Sequence, residues 1–148
     1  MSQPLIMSFC PDAAEMCLDG RKRQTRRLVP VGSIWKRGPD GAILIVCKKG
    51  RVIWRVGDLV AIKPARTARM VGRVRITSIR QEFVNWITES DARLEGVEPA
   101  SGCRAKGEKF MPYRDGFIQV WCSLHNRKGE RWEDHPAVIV IEFEPVEA

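Results

Sequence analysis

The chain has 148 residues, 44% hydrophobic and 29% charged, enough for one folded domain with its own core and with no apolar run long enough to span a membrane. Its net charge of +7 is unevenly placed: residues 1–80 hold 17 Lys/Arg against 5 Asp/Glu, and residues 81–148 hold 8 against 13. That split argues against a uniformly basic surface and for one electropositive region, with phosphate as its natural partner.

Leu5 to Phe9 reads as an entry strand. Pro11 suits a first helical turn, where its missing N–H does no harm, and Ala14, Cys17 and Leu18 recur at helical spacing before Gly20 stops the helix. The run Gly20-Arg21-Lys22-Arg23-Gln24-Thr25-Arg26-Arg27 follows and extends as a strand into Leu28-Val29. Turn signals at Gly38-Pro39-Asp40-Gly41 and Lys48-Lys49-Gly50 frame a hairpin of Ala42 to Cys47 and Arg51 to Trp54. Gly57-Asp58 turns into a strand at Leu59 to Ile62. Met70 to Ile79 alternates, with Arg73 and Arg75 outward and Val74 and Ile76 inward.

Thr88 or Ser90 can cap a helix that ends near Glu95-Gly96. Residues 98–112 read as a polar loop. Asp115 to Leu124 reads as a helix burying Phe117, Val120 and Trp121, and Ala137 to Phe143 as a β-branched final strand. Many short strands and a few short helices predict an α+β fold, a small, partly closed and mostly antiparallel β-barrel with helices at its ends. One domain is expected over residues 1–148, with residues 31–55 as an inserted hairpin.

The five cysteines form no CxxC pair and leave an odd one. With no secretory leader visible, they read as reduced thiols of a cytoplasmic protein. Cys103, Cys122, His125 and His135 have irregular spacing for a zinc site, so no metal and no cofactor is expected. Trp35, between basic residues, is a candidate for stacking on a base. Trp54 reads as core.

The basic run carries the chemistry. It packs five cations and one hydroxyl into eight residues. One reading makes Arg21, Arg23, Arg26 and Arg27, extended by Arg73 and Arg75, a phosphate grip. Thr25 is then an ordinary strand residue and Glu95 a helix-end charge. The other reading makes Lys22 a base beside a Thr25 nucleophile, its charged form disfavoured by the surrounding arginines. Residues three apart on a strand face opposite ways, so this second reading needs the chain to turn between Lys22 and Thr25.

The short helix ending in Gly20, the run from Arg21 to Arg27, the Val56-Gly57-Asp58 turn and the segment Ile87 to Val97 together resemble the ASCH domain, a PUA-like β-barrel family linked to RNA. The resemblance covers roughly Leu5 to Val146 and implies a PUA-like barrel. Some members of that superfamily are small amidohydrolases that deacetylate N4-acetylcytidine. Their Lys, Thr and Glu would be Lys22, Thr25 and Glu95. Other members are regarded as RNA-binding modules. Two departures stand out: Arg23 occupies a position usually held by a small Thr, and Leu59 to Pro64 lacks the Trp-Val-Arg-Glu of phage-type members. The resemblance implies RNA or a modified nucleoside as partner, and no membrane.

Overall fold

A computed structural model describes residues 5–101 and 111–146. Eight strands form one sheet: β1 (Leu5–Ser8), β2 (Gln24–Leu28), β3 (Ile34–Arg37), β4 (Ile43–Lys48), β5 (Arg51–Arg55), β6 (Leu59–Lys63), β7 (Gly72–Phe83) and β8 (Ala137–Pro145). Three helices accompany it: α1 (Pro11–Asp19), α2 (Glu89–Leu94) and α3 (Pro112–Leu124). All ladders are antiparallel except β1 with β6. The α+β class expected from sequence is the one observed.

The barrel, expected to be partly closed, is an open sheet among the described residues. The ladders run β1-β6-β7-β8-β2, and among the described residues no ladder joins β1 back to β2. The chain between those end strands is α1, and a helix cannot complete a sheet hydrogen-bond ladder. Its buried residues Ala14 and Cys17 instead pack into the core that the strands share. The Arg27 guanidinium crosses part of the opening and donates to the Ser8 carbonyl at 3.2 Å.

Long strand β7 organises the rest. One edge pairs with β8 from Val74 to Phe83, with a register shift between Ile76 and Ser78. The other edge pairs with β6 and then meets β4 at Ile79. Strands β3, β4 and β5 form a three-stranded meander, so the hairpin read at 42–54 gains a further strand at Ile34–Arg37.

Two apolar cores lie on opposite faces of β8. Ile139, Ile141 and Phe143 join Met7, Cys17, Val60, Ile62, Val74 and Ile76 on one face. Val138 and Val140 join Ala92, Phe117 and Trp121 of α2 and α3 on the other. Alternation along a strand produces this division. Val120, expected inside, is 43% exposed, because the face of α3 turned to the sheet carries Gly116, Phe117 and Trp121. Thr88 caps α2 by accepting from the Asp91 N–H at 3.1 Å. No helix among the described residues is long and apolar enough to cross a membrane.

Candidate functional site

Gly20 ends α1 at φ +87°, a conformation that suits glycine, and swings the chain toward β2. Residues 21–23 precede the strand, so Lys22 is outside the alternation that governs Thr25. Within β2, Gln24 and Arg26 point one way and Thr25 and Arg27 the other. Arg26 lies opposite Val140, on the α2/α3 side. Thr25 and Arg27 lie opposite Ile141 and Ile139, on the side of the main core. The basic run is thus divided by the pleat into two sets with different surroundings.

On the main-core side, Phe9 gathers two cations. The Lys22 ammonium stands 5.6 Å from its ring centroid and the Arg27 guanidinium 5.0 Å. Lys22 reaches this side from the loop before β2, and no hydrogen bond joins it to Thr25 among the described residues. Lys22 and Thr25 are each 5% exposed and Glu95 is 7% exposed. Lys22 Nζ donates to the Gln24 carbonyl at 2.9 Å, to the Glu95 carbonyl at 2.6 Å and to Glu95 Oε1 at 3.3 Å. Every proton of the ammonium has an acceptor. Gly96, at φ +80°, lets the chain pass close to Lys22, where an added Cβ would stand 3.0 Å from the Lys22 Cβ.

Two groups here lack partners. The Thr25 hydroxyl makes no hydrogen bond among the described residues. Arg27 Nε is buried without an acceptor, and no carboxylate among the described residues forms an ion pair with this guanidinium. Burial pulls the Arg27 pKa below the ordinary arginine value, against the opposing pull of Glu95. Burial also pushes the Cys17 thiol up to about 12, against Lys22 and Arg27.

On the opposite side, Arg26 is the hub of an ion network that sequence reasoning missed. Its side chain is 0% exposed. Nη1 donates to Gln24 Oε1 and Glu95 Oε2, both at 2.9 Å. Nη2 reaches Glu82 at 2.6 Å and Asp91 at 3.3 Å, and Nε reaches Glu82 at 3.1 Å. Arg80 joins through Asp91, Glu82 and Glu142. Burial alone would lower the Arg26 pKa, but Glu95 and Glu82 outweigh it and hold it above the ordinary value. Arg26 is therefore a buried structural cation and not part of an open phosphate grip. Its acids come from the acidic half of the chain, so part of the charge asymmetry is answered inside the molecule.

The other arginines separate further. Arg21 is exposed and paired with Asp19 at 2.6 Å. Arg23 is exposed, donates to the Gly20 carbonyl, and has no acidic partner among the described residues. The direct partners of the Lys22 ammonium are a carboxylate and two carbonyls, while Arg27 shares the Phe9 ring with it and Arg26 shares the Glu95 carboxylate. Arg73 and Arg75 project outward from β7, with Arg75 donating to the Gly57 carbonyl at 2.7 Å. Trp35 is half-buried against the main core, donates to Ser33 Oγ at 3.1 Å, and has Arg37 over its ring at 5.7 Å. That leaves it less open to a base than its basic surroundings suggested. His125 stacks on Trp121, and no group of three metal-ligating side chains occurs among the described residues. Cys103 lies outside those residues, as does most of the 98–112 loop.

No family model and no curated protein sequence matches the chain. Solved structures do. An ASCH domain from Lactobacillus crispatus JV V101 matches at 19% identity and TM-score 0.52, over 95% of this chain and 79% of that one. Protein EF3133 from Enterococcus faecalis V583, of the DUF984 family, matches at 14% identity and TM-score 0.57, over 99% and 82%. Hypothetical protein PH0355 matches at 17% identity and TM-score 0.53, over 97% of this chain and all of that one. The chain has the fold of an ASCH domain.

Proposed function

We propose that this protein is a nucleoside- or RNA-directed amidohydrolase that removes an acyl group from an N4-acetylcytidine-type base, with Lys22, Thr25 and Glu95 as its reacting groups and Arg27 as the anion holder. One observation carries the reading: the buried Lys22 ammonium, 3.3 Å from Glu95 Oε1, stands with Arg27 at the Phe9 ring, on the side of β2 that carries the Thr25 hydroxyl, and neither that hydroxyl nor Arg27 Nε has a hydrogen-bond partner among the described residues. The fold is consistent with it, since an ASCH domain is among the solved structures the chain resembles.

The chemistry follows from the pair. A proton shift from Nζ to Oε1 turns ammonium and carboxylate into amine and carboxylic acid, so a single contact supplies a base and an acid. The Lys22 amine takes the Thr25 proton as Oγ bonds to the acyl carbon. The carbonyl oxygen becomes an oxyanion, which Arg27 Nε–H stabilises. As the C–N4 bond breaks, Glu95 gives its proton to the departing amine, and Lys22 and Glu95 return to their charged forms. Water then hydrolyses the acyl-Thr25 ester through the same pair, releasing acetate. Arg26 keeps Glu95 Oε2 occupied and leaves Oε1 for Lys22.

The test is incubation of the protein with N4-acetylcytidine, with cytidine followed by chromatography. Release is expected from the wild type and not from Lys22→Met. A wild type that releases no cytidine overturns the proposal. It would leave the second reading, a non-catalytic RNA-binding module, which the exposed Arg23, Arg73 and Arg75, without an acidic partner among the described residues, favour. That module would show RNA affinity falling steeply with salt.

A further inference from the structure

A second feature lies on the outer face of the sheet. Pairing sets Ile6, Ala61 and Arg73 in one cross-strand row over β1, β6 and β7, and Leu59 opposite Arg75 in the next. This row faces away from Met7, Val60, Ile62 and Val74, which fill the core. Strand β5 borders it, and together they enclose a groove of about 1180 Å³. Arg51, Arg55 and Arg73 line it, with Trp54, Ile53 and Leu59 as its apolar surface.

The charge balance around it is one-sided. Residues 31–75 carry eleven Lys/Arg and only two acids, Asp40 and Asp58. Both acids are engaged: Asp58 pairs with Arg55 at 2.9 Å, and Asp40 accepts from the Ala42 N–H at 3.1 Å. Arg51 and Arg73 have no acidic partner among the described residues. Like charges held together without counter-charge repel, and a polyanion relieves that repulsion. The mixture of cations with an indole and aliphatic side chains fits a ligand that alternates phosphates with flat bases better than it fits an acidic peptide, which offers no such rings.

We infer that this groove binds a single-stranded polynucleotide. The inference rests on the nucleic-acid side of the proposed function and gives it a location. Arg51 and Arg73 hold phosphates, and the exposed Ile6 and Leu59 with the part of Trp54 not packed on the core give the bases an apolar surface.

Fluorescence anisotropy with a labelled eight-nucleotide uridine RNA tests this, with the wild type, Arg51→Glu/Arg73→Glu and the milder Arg51→Gln/Arg73→Gln, each first checked for an unchanged melting temperature. The wild type is expected to bind, with affinity falling as salt rises. Charge reversal is expected to weaken binding at least about tenfold, and the Gln pair to flatten the salt slope by about 1.4 log units per log unit of salt. No binding by the wild type, or equal binding by the folded variants, overturns the inference. Equal competition by polyglutamate overturns it too, since the face would then recognise any polyanion. Turnover of free N4-acetylcytidine is read separately on the wild type. Binding without turnover removes the deacylation and keeps the groove, and turnover without binding does the reverse.

Discussion

Replacing Arg26 with Met tests the division of the basic run. The Arg26 side chain is fully buried and bonds to Glu95 at 2.9 Å, Glu82 at 2.6 Å and Asp91 at 3.3 Å. Asp91 retains Arg80 in the variant, and Glu95 retains Lys22, but the shared counter-charge is gone. Removing one partner of a buried ion pair destabilises by about 3–5 kcal/mol, because the remaining charges stay buried and uncompensated. For a chain of this size that corresponds to a fall of about 10 °C in melting temperature. Thermal unfolding followed by circular dichroism measures it, and Arg26→Lys, which keeps the charge but loses the forked donor, should fall in between. An Arg26→Met variant melting within about 2 °C of wild type would refute the structural role, and Arg26 would return to the surface grip that the sequence suggested.

Two further outcomes are expected. Thr88→Ala removes the α2 cap and should lower stability by about 1 kcal/mol in urea unfolding, with Thr88→Ser close to wild type. Burial raises the Cys17 pKa from 9.0 to about 12, so Cys17 should resist thiol reagents at pH 8 in the folded protein while exposed Cys10 and Cys122 react. The sign of the linkage is that of a raised pKa: the stabilising contribution is complete below pH 9 and is lost as pH rises toward 12, so Cys17→Ala should unfold less steeply with alkali across that window.

Much of the fold was legible because local rules governed it. Pro11 and Gly20 bound α1, Thr88 caps α2, and the β-branched run from Ala137 forms β8. Incomplete closure was expected, but where the sheet opens was not legible, because whether β1 meets β2 depends on how α1 packs between them, a tertiary matter. The core strand pattern of β7 was read correctly, but its length was not; pairing with β8 carries it on to Phe83.

At the site, the candidates Lys22, Thr25 and Glu95 were nameable from the basic run and the resemblance. Their surroundings were harder to read. Alternation within Gln24 to Arg27 was available in the sequence and would have separated Arg26 from Arg27. What it could not supply was the identity of Arg26's partners, since Glu82, Asp91 and Glu95 come from 56 to 69 positions away. The network's Gln24, Arg80 and Glu142 carried no separate signal. A charge run looks solvated until the acids that bury one of its members are known.

The measurement that bears most directly on the central claim is the rate of cytidine release from N4-acetylcytidine by wild type, Thr25→Ser and Thr25→Ala, all of the same melting temperature. The account predicts release by wild type, slower release by Thr25→Ser, and a loss of about a hundredfold or more in Thr25→Ala, where no hydroxyl remains to attack. Undiminished release by a folded Thr25→Ala protein would contradict it.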